Sequence, residues 1–66
     1  MEKLLLDIID TFEQFINDAD RQITRGSNLA GRHARTGSTK LANMLKEFRR
    51  KSLEMQALSK KNGSDR

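Results

Sequence analysis

The sequence predicts an all-α protein: an antiparallel two-helix hairpin that self-associates into a four-helix bundle. Three observations carry this expectation. The 66-residue chain has no proline. Two long stripes of apolar residues run at helical spacing. A single Gly26-Ser27-Asn28 break separates them.

The first helix is expected at about residues 2–25. Its apolar positions Leu5, Ile9, Phe12, Ile16, Ala19 and Ile23 alternate steps of four and three, the seam of a helix that packs on other helices. Ile8 and Phe15 widen that seam to one side, as in a bundle helix. Thr24-Arg25-Gly26 ends it with a basic last turn and a C-cap glycine.

The second helix is expected at about residues 28–58, with Ser27 or Asn28 as its N-cap. Its seam is Ala34, Ser38, Leu41, Leu45, Phe48, Ser52 and Met55, flanked by Met44 and extended by Leu58. Gly31 and Gly37 weaken the first turns by roughly 1 kcal/mol each relative to Ala. This predicts a loose start, or a helix that begins only after Gly31. Residues 59–66, Ser-Lys-Lys-Asn-Gly-Ser-Asp-Arg, have no seam and are expected to be a disordered tail. The hairpin, residues 1–58, is the one domain.

Self-association follows from size. A chain this short buries only about 60% of the surface its unfolded form exposes. Small scaffolds are usually supported by disulfides, metals or oligomerisation. With no Cys and only His33, the first two have no ligands to work with. Phe12, Phe15 and Phe48 are the large groups expected in the bundle core.

Charge is divided between the halves. Residues 1–25 hold three basic and six acidic groups, net −3; residues 26–66 hold ten and three, net +7. That asymmetry points to a polyanionic partner. On a helical wheel with Ala34 at zero, Arg32 and Arg50 fall near ~160°, Lys46 near ~120°, Arg35 near ~100° and Arg49 near ~60°. Thr39 and Asn43, side chains able to hydrogen-bond phosphate oxygens, lie at ~140° and ~180°. The stripe runs about 27 Å, enough for several phosphates of a duplex. Lys40 and Lys51 lie on the other flank. Asp18 and Asp20, near the turn, are expected to reach Arg32 or Arg35 and quench part of the patch.

Several functions are excluded by the same residues. No run of about 18 apolar residues spans a membrane. Met1-Glu2-Lys3, with Asp7 and Asp10 inside the apolar stretch, does not read as a secretory signal. An enzyme is not expected, for want of a cleft and of convergent polar groups. Neither a metal site nor a cofactor or small-molecule substrate is expected. Absence of Tyr and Trp argues against modules that stack single strands.

The stretch Gly-Ser-Asn-Leu-Ala-Gly-Arg-His-Ala-Arg-Thr-Gly-Ser-Thr-Lys-Leu (26–41), followed by Leu-Lys-Glu-Phe-Arg-Arg-Lys-Ser-Leu-Glu (45–54), resembles the bacterial linker-histone-like nucleoid proteins known from chlamydiae. The resemblance covers most of residues 5–55. It implies binding of double-stranded DNA and nucleoid compaction, with Arg32, Arg35, Lys40, Lys46, Arg49, Arg50 and Lys51 as the matched basic positions. The chlamydial members carry a long Lys/Ala/Pro-rich tail, whereas this chain stops at Arg66 after Lys60-Lys61, so it reads as a short form. The expected protein is cytoplasmic, on the nucleoid, with duplex DNA and copies of itself as partners. The rival expectations are a small coiled-coil module with an acidic protein partner, and an amphipathic helix on anionic membranes.

Overall fold

The computed structural model describes residues 1–59 and consists of two helices, α1 (Glu2–Arg25) and α2 (Asn28–Ser59), folded back on each other. Beyond Ser59, the segment expected to be a disordered tail lies outside the described residues. The hairpin is a narrow plank of 53 × 18 × 14 Å. The described residues are helical apart from Met1 and the turn, in keeping with the missing prolines and the spacing of apolar residues.

The turn is built from two caps. Gly26 takes the left-handed conformation, φ 67°, which a side chain would resist, and its N–H donates to the Gln22 carbonyl at 2.9 Å. Ser27 then caps α2: its Oγ accepts from the Ala30 N–H at 3.1 Å, while its carbonyl accepts from the Gly31 N–H. Two residues thus end one helix, start the next and reverse the chain.

Gly31 and Gly37 correct one expectation. Both lie inside α2, which starts at Asn28 and not after Gly31. Each sits where the other helix comes close: a methyl group on Gly31 would lie 2.5 Å from the Gln22 side-chain amide, and one on Gly37 would lie 3.7 Å from Cβ of Phe15. Only at Gly31 is the space already filled, by the Gln22 side chain; at Gly37 the contact is an ordinary van der Waals one. The two contacts also fix the register, because residues whose numbers sum to about 52 or 53 face each other.

Packing inside the hairpin uses less of the apolar surface than the seams predict. The buried residues are small: Ala30, Ala34, Gly31 and Thr11. Leu4, Ile8, Phe15, Leu41, Met44 and Phe48 are half-buried around them. No large side chain is fully buried among the described residues. On α1 the contact line is therefore Leu4, Ile8, Thr11 and Phe15, the flank of the expected seam. The seam itself stands open, with Leu5, Ile9, Phe12 and Ile16 exposed at 46, 51, 49 and 46%. Of the three phenylalanines, Phe15 and Phe48 enter the helix–helix contact and Phe12 does not. The reason is geometric: a two-helix contact is one stripe wide, and α1 carries two adjacent apolar stripes.

Candidate nucleic-acid interface

The hairpin presents four distinct sides. One groove between the helices is polar: Asp7, Asp10, Thr11, Gln14 and Asp18 of α1 face His33, Thr36, Lys40 and Met44 of α2. The opposite groove is apolar, formed by the open seam of α1 and by Leu45 of α2. Along the outer edge of α1 lie Glu2, Glu13 and Asp20, all exposed. The outer edge of α2 carries Arg32, Arg35, Lys46, Arg49 and Arg50, also exposed. The helical repeat that buries Ala30, Ala34 and Leu41 against α1 turns Arg32, Lys46 and Arg50 to the far side and sets Arg35 and Arg49 on the flank toward the apolar groove.

The seven basic positions singled out from the sequence therefore do not form one patch. Arg32, Arg35, Lys46, Arg49 and Arg50 share the outer edge. Lys40 lines the polar groove opposite Asp7 and Asp10. Lys51 is half-buried and reaches the Glu47 carboxylate at 3.9 Å. Arg50 is on the edge but bonded to Glu54, Nη1 to Oε2 at 2.9 Å. Near Arg50, a shallow depression is lined by Asn43, Lys46 and Glu47.

The expected quenching of Arg32 and Arg35 by Asp18 and Asp20 does not occur. Asp18 sits on the polar-groove side and faces Arg21 at 3.9 Å instead. Every ion pair among the described residues lies within a single helix, at spacings of three or four. The outer edge of α2 keeps its charge because α1 stands behind it, on the other side of the contact. The first turn of α2 also holds no acidic residue, so the positive end of the helix dipole adds to Arg32 rather than cancelling it.

One hydroxyl expected to serve phosphate is engaged elsewhere. Thr39 Oγ1 donates to the Arg35 carbonyl at 3.3 Å, and Ser38 Oγ donates to the same oxygen at 2.8 Å. These bonds within the helix occupy the hydroxyl protons. Asn43 remains as the neutral donor on that edge. The sequence reading missed the role of Glu47 and Glu54 as local partners, although their spacing of four from Lys51 and Arg50 was the signal for it.

Among the described residues there is no cluster of three metal-ligating side chains, and no helix is long and apolar enough to cross a membrane. His33 is exposed at the polar groove.

Comparison with known proteins fits this arrangement. Neither the curated proteins nor the solved structures contain a match. The family model described as Histone H1-like protein Hc1 matches residues 2–58, which is both helices and the turn between them. The chain belongs to this histone H1-like family.

Proposed function

We propose that this protein is a nucleoid-associated, histone-like protein that binds double-stranded DNA with little sequence specificity. Phosphates are gripped by Arg32, Arg35, Lys46, Arg49 and Arg50 on the outer edge of α2, with Lys40 and Lys51 contributing only from the flank. The protein acts as a homodimer or larger assembly, in the cytoplasm on the nucleoid, compacting or bridging DNA. It needs no cofactor and catalyses no reaction.

The observation that carries this reading is the edge itself. Five cations lie along about 27 Å of one helix, and none of them is paired with a carboxylate of the acidic helix of the same chain. Duplex DNA presents a charge every ~1.7 Å of axis, so such an edge meets several phosphates at once. Membership of the histone H1-like family supports the same partner. No aromatic platform or base-reading motif accompanies the edge, which favours contact with phosphate over readout of bases.

The test is the fluorescence anisotropy of a labelled duplex of about 30 base pairs, titrated with protein from roughly 50 to 300 mM salt. Affinity should fall linearly in a double-logarithmic plot, with a slope that counts the contacts. Neutralising Arg32, Arg35, Arg49 and Arg50 together should abolish binding and leave helicity intact. If the folded protein shows no binding at the lowest salt, the reading is wrong, and a coiled-coil module with an acidic protein partner takes its place.

A further inference from the structure

The open apolar groove has a defined shape and a defined charge pattern at its borders. Leu5, Ile9, Phe12 and Ile16 line its α1 side and Leu45 its α2 side, each between 42 and 51% exposed. Meanwhile the hairpin contact buries no large side chain among the described residues. The paired part of the plank is about 36 Å long at 1.5 Å per residue of α1, and 18 Å wide. Its flat footprint is ~650 Å², close to the ~800 Å² per partner of a standard-size interface.

We infer that this groove docks a second copy of the chain in one particular orientation, with both turns at the same end and α1 of each copy lying over α2 of the other. The inference rests on the self-association reading above and adds to it which face is used and which way the copies point.

Charge decides the orientation. Two two-fold arrangements stack the apolar faces. In one the axis runs across the helices, so α1 lies on α1 and α2 on α2. Asp20, Glu13 and Glu2 of both copies then border the same side, and Arg35 and Arg49 of both border the other. Like charges meet along both edges, which is unfavourable. In the second arrangement the axis runs along the helices. Each acidic border then meets a basic one.

The register makes this match specific. Facing residues sum to about 52 or 53 within the hairpin, and an axis along the helices preserves those levels between copies. Asp20 comes to the level of residues 32 and 33, within a turn of Arg35. Glu2 comes to the level of residues 50 and 51, beside Arg49. Arg35 and Arg49 are also the two cations of the edge whose wheel positions lean toward the apolar groove, while Arg32, Lys46 and Arg50 point outward. Both arrangements make all neighbouring helices antiparallel, as in an up-and-down bundle, so charge is what separates them.

A consequence for DNA follows. The two outward edges, Arg32 to Arg50 of each copy, lie on opposite sides of the dimer, so one dimer holds two duplexes apart. In the rejected arrangement both edges would merge beside a single duplex.

The chain has no cysteine, so Asn28→Cys gives one spin label per copy beside the turn, on the full chain. Double electron–electron resonance without DNA should give a label separation within about 25 Å, two helix diameters. A separation of about 35 Å or more, the length of α1, overturns the orientation while leaving self-association intact. A monomer at all concentrations overturns the docking and the self-association reading together, and neither result touches the DNA titration. As a second readout, Asp20→Lys should weaken dimerisation by roughly 2- to 20-fold, since two symmetry-related pairs are lost. Adding Arg35→Glu should restore it. Failure to restore overturns the pairing of those edges.

Discussion

Gly37 faces the backbone of Phe15 across the hairpin: a methyl group at Gly37 would stand 3.7 Å from Cβ of Phe15 and 3.9 Å from its Cα. That is ordinary van der Waals contact. The position tolerates alanine, and alanine carries the helix propensity that glycine lacks. Gly31 is different, because the Gln22 side chain already fills the space.

Gly37→Ala is therefore expected to stabilise the protein by about 0.5–1 kcal/mol. Gly31→Ala displaces the end of the Gln22 side chain and gains less, or loses. In a Gln22→Ala background Gly31→Ala should recover the full gain. Thermal unfolding of the four variants as a double-mutant cycle checks this coupling. Equal effects of both glycine changes, with no dependence on Gln22, would contradict the packing near the turn.

Ser27 is the cap on which α2 begins. Ser27→Ala should cost about 1 kcal/mol, because the Ala30 N–H loses its acceptor, and Ser27→Asp should cost much less. Urea unfolding measures both. The difference reports the cap rather than the turn, since Gly26 is untouched.

Lys46 and Lys40 are both exposed lysines of α2, yet they face opposite sides. Lys46→Ala should lower the slope of the salt dependence of DNA binding by about 0.9, one phosphate contact. Lys40→Ala, in the polar groove with Asp7 and Asp10, should leave the slope nearly unchanged. Equal losses from the two would mean that DNA wraps around the hairpin instead of lying along one edge.

Glu54 holds Arg50 in a surface ion pair. Glu54→Gln frees that guanidinium and removes a negative charge beside the edge, so affinity for duplex DNA should rise about two- to five-fold at low salt, with the gain fading as salt screens it. Stability should change by no more than about 0.5 kcal/mol, the usual worth of such a pair on a helix. Anisotropy and thermal unfolding of the same variant separate the two effects.

Stability is expected to depend on concentration. If the exposed seam of α1 is covered by another copy, the unfolding midpoint should climb as protein concentration rises. Phe12→Ser should remove that dependence while the helices still form at high concentration. Phe15→Ala, by contrast, acts inside the hairpin contact and should destabilise at every concentration. Midpoints measured over about two decades of concentration distinguish these behaviours.

Much was legible in the chain before any fold was known. Absence of proline, the steps of four and three from Leu5 to Ile23 and from Ala34 to Met55, and Gly26-Ser27 between them specify two helices and a tight turn. Local chemistry suffices for this, because capping and periodicity act over a few residues. The division of charge between the halves follows from the residues themselves, and the outward position of Arg32, Lys46 and Arg50, with Arg35 and Arg49 lateral to them, follows from helical geometry.

Only the tertiary structure decided which stripe of α1 meets α2. Ile8 and Ile9 are adjacent in sequence and about 100° apart on the helix, and both are apolar; composition gives no preference between them. The choice puts the small residues Gly31, Ala34 and Gly37 of α2 against α1, with Phe15, Thr11 and Ile8 drawn in and Phe12 and Ile9 left outside. That choice in turn sets Lys40 against Asp7 and Asp10, and keeps Asp18 away from Arg32. Periodicity names the faces of each helix. Which faces meet depends on how closely two backbones can pack, and that is a property of the pair.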